Sequence, residues 1–183
     1  MRIISGKFKA RRLTVPHNIT ARPTTDFAKE GLFNLLNNQI DFENIDMLDL
    51  FAGTGGIGIE FVSRNASHVT SIEQNDRHCG FIRKMCNELK IDNLTVIKTD
   101  VFRYLKTCNA KFDVIFADPP YDLETIATLP DIIFAKKMLN TDGLFILEHS
   151  AKNDYSKHPN FESNRHYGNV NFSFFTNQSL NNE

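Results

Sequence analysis

From residue 46 to residue 147 the chain alternates short apolar runs with segments of helical periodicity, a rhythm that admits few architectures. Residues 46–51, 69–73, 94–98, 112–117 and 143–147 read as buried strands, and 56–64, 76–89, 101–107 and 126–139 as the helices between them. Strand–helix–strand repetition with right-handed crossovers builds a parallel, doubly wound sheet. Before it, Phe27, Leu32, Phe33, Leu35 and Leu36 give a helical pattern running up to Asn37-Asn38. After it, residues 160–167 and 170–176 flank Gly168-Asn169 as two strands of a tight hairpin, which would place an antiparallel strand in the sheet. The expected fold is α/β: a Rossmann-like, mostly parallel seven-stranded sheet that ends in an antiparallel hairpin and follows an N-terminal β-hairpin arm and helix. The boundaries are an arm at 1–25, a principal domain at 26–176 and a polar tail at 177–183. One domain of this kind suits 183 residues and leaves no room for a second substrate domain.

The segment joining the first strand to its helix, Asp49-Leu50-Phe51-Ala52-Gly53-Thr54-Gly55-Gly56-Ile57-Gly58, has glycines at 53, 55 and 58 in Gly-x-Gly-x-x-Gly spacing. Glycine is needed where backbone turns tightly against a ligand. Glu73, eighteen residues beyond Gly55 at the end of the second strand, stands where a carboxylate would accept ribose hydroxyls. A dinucleotide would satisfy this spacing. Asp49, however, suits an ammonium group better than a pyrophosphate, and S-adenosyl-L-methionine has an ammonium and no phosphate. Asp100, ending the third strand, can accept from an adenine amine, with Val101 or Phe102 against the ring. It can equally be the N-cap of the following helix.

The fourth strand runs into Asp118-Pro119-Pro120-Tyr121, at a sheet edge where α/β proteins place ligands. Two prolines lack N–H groups and fix φ, so the turn is stiff and the Pro119 carbonyl lacks a ladder partner. That carbonyl and the Asp118 carboxylate are two acceptors suited to an exocyclic amino group, and Tyr121 offers a face on which a base can stack. The pattern fits methylation of a nucleobase amine, although Asp and Pro also simply end strands.

Charge is unevenly distributed. Arg2, Lys7, Lys9, Arg11, Arg12 and Arg22 give the first 25 residues six bases and no acid, leaving fifteen bases against 22 acids in the remainder. Bases interleaved with Ile3, Ile4, Phe8, Leu13 and Val15 read as a phosphate-facing hairpin for nucleic acid. Cys79, Cys86 and Cys108 lack metal-site or disulfide spacing, so no metal is expected. No apolar run reaches the length of a membrane span, and the cytoplasm is the default location. His149 beside Glu148 and Ser150 would suit hydrolase chemistry, but no nucleophile elbow accompanies it.

Taken together, Arg22-Pro23-Thr24-Thr25-Asp26, Leu48-Asp49-Leu50-Phe51-Ala52-Gly53-Thr54-Gly55 and Asp118-Pro119-Pro120-Tyr121 resemble the RsmD family, bacterial methyltransferases acting on N2 of a guanine in small-subunit ribosomal RNA. The resemblance runs from Arg2-Ile3-Ile4 to Tyr167-Gly168-Asn169. It implies a class I methyltransferase fold, with Ala52 to Gly55, Glu73 and Asp100 binding S-adenosylmethionine and Asp118 to Tyr121 holding the base. It also implies 16S rRNA or a small-subunit assembly particle as partner, and a monomer. Ser5 and Ala10 stand where the family's arm usually has glycine, and Gly31 interrupts the first helix. Alternatives within the same chemistry are adenine N6 in DNA and cytosine N4; a non-catalytic RNA-binding module and an NAD oxidoreductase lie outside it.

Overall fold

The computed structural model describes residues 1–17, 19, 25–121 and 123–177. Arg22, the turn around it and the tail beyond Asn177 lie outside the described residues. Twelve elements follow in order: α1 (Asp26–Leu36), β1 (Asp46–Leu50), α2 (Gly56–Ser63), β2 (His68–Glu73), α3 (Asp76–Leu89), β3 (Leu94–Lys98), α4 (Val101–Thr107), β4 (Phe112–Ala117), α5 (Leu129–Ala135), β5 (Leu139–His149), β6 (Phe161–Tyr167) and β7 (Val170–Thr176). Local chemistry sets many of these limits. Thr25 caps α1 by accepting from the Ala28 N–H, Asn75 caps α3 by accepting from Arg77 and His78, and Asp100 caps α4 by accepting from Arg103.

The strand order is β3-β2-β1-β4-β5-β7-β6. The first five are parallel, and β7 enters antiparallel between β5 and β6. The order reverses between β1 and β4, and their carboxyl ends form the topological switch point at which open α/β sheets place a ligand crevice. One face of the sheet packs Met47, Val114, Phe116 and Ile146 against Leu32, Phe33, Leu36 and Phe61 of α1 and α2; the other packs Leu48, Ile115, Phe145 and Leu147 against α4 and α5.

Two expectations need correction. The helix expected over 126–139 is a 3-10 turn (Glu124–Thr128) followed by a short α5, and β5 starts at Leu139 rather than Gly143. Pro130, lacking an N–H, holds a place in α5's first turn, and a left-handed Lys137 (φ 53°) ends the helix as Met138 N–H reaches back to Ile133. The N-terminal arm is not a pair of strands. A single antiparallel bridge, Arg2 to Arg12, closes it around a 3-10 turn at Gly6–Phe8. Ile3 and Leu13 are buried against Ile59, Phe81, Met85 and Leu89, so the arm lies on α2 and α3.

Its anchor is Glu60, fully buried on α2. The carboxylate accepts from Ile4 N–H (2.8 Å) and Ser5 N–H (3.0 Å) and pairs with Lys29 and Arg64, each at 3.1 Å. Burial pushes the Lys29 pKa below its ordinary value, while Glu60 pulls it back up. Ser63 accepts from Phe8 N–H and donates to the Ser5 carbonyl. Gly6, at φ +79°, lies so close to helix α2 that a Cβ there would sit 1.7 Å from the Ser63 carbonyl oxygen. Ala10 adopts φ 65°, the conformation for which glycine is favoured.

Gly31 has a packing reason. A Cβ there would fall 2.2 Å from the Tyr167 ring, whose hydroxyl donates to the Gly31 carbonyl at 3.1 Å. Gly80, on the exposed face of α3, meets nothing within 4 Å. The two therefore respond oppositely to alanine. Gly31→Ala should lose roughly 1–3 kcal/mol through overpacking despite its better helix propensity, while Gly80→Ala should gain up to about 1 kcal/mol. Urea unfolding of both variants checks this, and a stable Gly31→Ala would refute the packing account.

Candidate active site

The crevice takes its shape from the loop leaving β1. Phe51 is forced to φ 62°, an uncommon conformation for a bulky side chain, as Ala52 N–H turns to bond the Ile72 carbonyl of β2 at 3.0 Å. Gly53 and Gly55 follow at φ 54° and 75°, and Gly55 N–H closes the turn on the Ala52 carbonyl at 2.7 Å. Thr54 is buried, with its hydroxyl toward the Met1 sulfur, and Met1 also covers Gly56. Gly58 lets α2 settle on the sheet: a Cβ there would come within 3.1–3.2 Å of Val69, Ser71 and Asp49.

Carboxylates ring this loop. Glu73 accepts from Gly53 N–H (2.8 Å) with one oxygen and from Asn75 N–H (2.7 Å) with the other, so the ribose position expected from sequence also organises the glycine turn. His78, from the first turn of α3, places its Nδ1 3.6 Å from Glu73 with no hydrogen-bond partner. Asp49 lies beneath the loop and accepts from Gly58 N–H at 3.2 Å. Burial pushes its pKa up to about 7; the Gly58 N–H opposes this and the Glu73 charge adds to it. Asp100 is the N-cap of α4, Val101 is buried behind it, and Phe102 meets Phe51 edge-on at 6.4 Å. Carboxylates at the ends of β1, β2 and β3 disfavour a polyphosphate and suit a cationic ligand. Among the described residues, no cluster of His, Cys, Asp and Glu is placed to hold a metal ion.

Asp118-Pro119-Pro120-Tyr121 stands beside the glycine loop because Leu50 and Ala117 are register partners, and Asp118 N–H continues the ladder toward the Leu50 carbonyl at 3.4 Å. Pro119 is buried and Pro120 exposed, with the Pro120 carbonyl accepting from Leu123 N–H. Tyr121 is 38% exposed, and its hydroxyl donates to Glu148 Oε1 at 3.0 Å. Sequence reasoning did not assign Glu148 to this corner, because the contact crosses from β4 to β5 and leaves no local signal. His149 serves the sheet: Nδ1–H donates to the Ser150 carbonyl and Nε2 accepts from the Ser173 hydroxyl, each at 2.8 Å. Burial holds it below its ordinary pKa.

The basic residues of the arm differ in their surroundings. Lys7, Lys9, Arg11 and Arg12 are exposed, with Lys7 and Arg11 over the Phe8 ring. Arg2 instead pairs with Glu30 and approaches Asp26 at 3.8 Å, so α1 engages the guanidinium expected to face phosphate. Met1, Arg2, Arg12 and Asp26 line a cavity of about 400 Å³ between arm and α1.

Residues 1–176 match the family described as conserved hypothetical protein 95. Ribosomal RNA small subunit methyltransferase D of Buchnera aphidicola subsp. Baizongia pistaciae is 34% identical over 148 residues, covering 81% of this chain and 75% of that protein. The chain belongs to the RsmD family. A second relative, the putative rRNA methyltransferase YlbH of Bacillus subtilis, is 37% identical over 159 residues, covering 83% of this chain and 84% of that protein. The solved structure described as putative methyltransferase yhhF from Escherichia coli superposes with a TM-score of 0.83 at 27% identity, covering 96% of both chains. The sheet and its order are those of class I methyltransferases.

Asp49 gives the site a stability signature. Its ordinary pKa is 3.8 and its folded value about 7, so the folded state keeps a proton that the unfolded chain releases between those values. The group's contribution is most favourable below its unfolded pKa and is lost as pH rises toward the folded one. Asp49→Asn keeps an acceptor for Gly58 N–H without the titration. Its melting temperature should therefore fall less than the parent's between pH 4 and 7, and calorimetry showing equal slopes would count against this burial account.

Proposed function

We propose that this protein transfers a methyl group from S-adenosyl-L-methionine to the N2 amine of a guanine in small-subunit ribosomal RNA, acting as a monomer in the cytoplasm on 16S rRNA or an assembling particle. The observation that carries the reading is the adjacency of two loops. The register of β1 with β4 puts a glycine turn ringed by carboxylates beside a stiff Asp-Pro-Pro-Tyr corner. The relatives named as ribosomal RNA methyltransferases support the same reading.

The cofactor, when bound, supplies an electrophilic methyl group on a sulfonium. Ala52, Gly53, Thr54 and Gly55 would bring backbone against it, with Phe51 and Val101 as apolar walls. Glu73 would accept ribose hydroxyls, Asp100 has a second carboxylate oxygen for an adenine amine beside its cap bond, and Asp49 lends negative potential from below the turn. The cation also explains why a buried acid is retained at this point: an ammonium nearby favours the ionised form that burial opposes.

A guanine amine is a weak nucleophile because its lone pair is delocalised into the ring. Asp118 and the Pro119 carbonyl, by accepting its two N–H bonds, turn that pair toward the methyl carbon and stabilise the positive charge growing on nitrogen; one such donor–acceptor pair is worth roughly 3 kcal/mol. Asp118 then takes the proton that the alkylated nitrogen sheds. The base must first leave its stack at a cost of a few kcal/mol, and stacking on Tyr121 offsets about 1–3 kcal/mol of it. Lys7, Lys9, Arg11, Arg12 and Arg22 position the RNA through phosphates without entering the chemistry.

The direct test is transfer of labelled methyl to ribosomal RNA from a strain lacking this gene, followed by nucleoside analysis; N2-methylguanosine is expected, and label in another nucleoside or none refutes the assignment. Asp118→Ala should abolish transfer while cofactor affinity by calorimetry stays near that of the parent, and near-parental turnover would remove Asp118 from the chemistry. Charge reversal at Lys7, Lys9 and Arg11 should weaken RNA binding and flatten its salt dependence, with a slope change of roughly 0.7–0.9 per lost phosphate contact. An unchanged salt titration would take the arm out of the interface.

A further inference from the structure

Two large hydrophobic side chains stay exposed among the described residues: Tyr121 in the Asp-Pro-Pro-Tyr corner, and Phe27, 66% exposed in the first turn of α1. Phe27 is not a loose ring. It lies four residues before Gly31 on the same face of the helix, and the Tyr167 ring that Gly31 admits stands edge-on to it, with centroids 6.1 Å apart and planes at 78°. The Tyr167 hydroxyl on the Gly31 carbonyl fixes that ring in turn, so the aromatic pair is braced from both α1 and β6. Strand register puts the pair at the working edge of the sheet. Tyr167 pairs with Val170 at the closed end of the β6–β7 hairpin, and the next residue, Asn171, pairs with His149. His149 ends β5 two residues beyond Leu147, the partner of Ala117. The hairpin turn and the Asp-Pro-Pro-Tyr corner therefore share one edge.

Arg165 completes the surroundings. Two residues before Tyr167 in β6, it faces the same side of the sheet, and its register partner Phe172 lies in the core beneath α1 and α2. It is exposed, one guanidinium nitrogen donates to the Asn164 carbonyl at 3.0 Å, and no acid among the described residues pairs with it. We propose that Phe27 and Tyr167 form a second stacking platform, which takes a base flanking the target in the substrate RNA while Arg165 meets a phosphate. The inference rests on the RNA-methylating reading above and deepens it with a contact outside both the arm and the corner. A target lifted from its stack leaves its neighbours with an open face, and an aromatic ring beside a guanidinium suits an unstacked RNA segment. A protein partner would require a contiguous apolar patch. Here one ring stands among charges, and the acids beside it on α1, Asp26 and Glu30, are already met by Arg2.

The chain contains no tryptophan, so Phe27→Trp installs a single fluorescent reporter. Its emission should be quenched on titration with small ribosomal subunits from a strain lacking this gene, and should not respond to the extracted small-subunit proteins alone. Asn109→Trp, exposed beyond the far end of α4, serves as the control and should stay unquenched. Phe27→Ala should raise KM for the same subunits by roughly 5- to 100-fold, the worth of one stacked base, with kcat near the parent's, while Phe27→Trp keeps the parental KM. Arg165→Glu should weaken binding and flatten its salt dependence. No quenching by the subunits, quenching reproduced by the extracted proteins, or a Phe27→Ala variant with the parental KM would overturn the platform. Quenching needs no methyl transfer, so a parent that leaves the rRNA unmethylated would bring down the functional reading while the fluorescence still decides the contact.

Discussion

The parallel pairing of β1 with β4 is the interaction on which the rest of this molecule depends. Neighbouring in space but 67 residues apart at the Leu50–Ala117 pair, the two strands place the glycine turn and the Asp-Pro-Pro-Tyr corner side by side. The proposed site needs both loops: one carries the carboxylates and glycine backbone, the other the Asp118 carboxylate and the Tyr121 ring. The crossovers that deliver β4 next to β1 bury both faces of the ladder, so the edges of the crevice are set by a rigid core.

That rigidity lets strain and unfavourable charge persist at the loop. Phe51 is held left-handed, and Asp49 is kept where burial opposes its ionisation. Both are costs that a chain selected for stability alone would shed, one within the glycine turn and the other directly beneath it. The acids Asp49, Glu73 and Asp100 each take a backbone N–H, so their carboxylates are already held in place by the chain itself.

What the sequence made legible was whatever is decided locally. The bounds of α3, β3, α4 and β4 follow from caps and short apolar runs, and the glycine and proline motifs lie where their spacing placed them. The α5–β5 junction was hidden because residues 139–142 look polar and turn-like, yet they add to β5 through a bulge opposite Phe112 and Val114. Glu60 and Glu148 were hidden for a different reason. The backbone donors of Ile4 and Ser5 lie 56 and 55 residues from Glu60, Tyr121 lies 27 from Glu148, and a buried acid on a helix or strand shows no periodicity of its own. Arg2 illustrates the converse: a basic cluster is visible in a sequence, but the acids on α1 that claim one of its members are not.

Glu60 ties the arm to the first helix after the glycine turn, holding Ile4 and Ser5 through their backbone while Ser63 holds Phe8. The basic segment is therefore not a detachable tail but a fixture indexed to the same helix that begins at the glycine turn. Anyone wishing to graft a different recognition segment onto this scaffold would have to transplant the acid, its lysine and the underlying serine along with it.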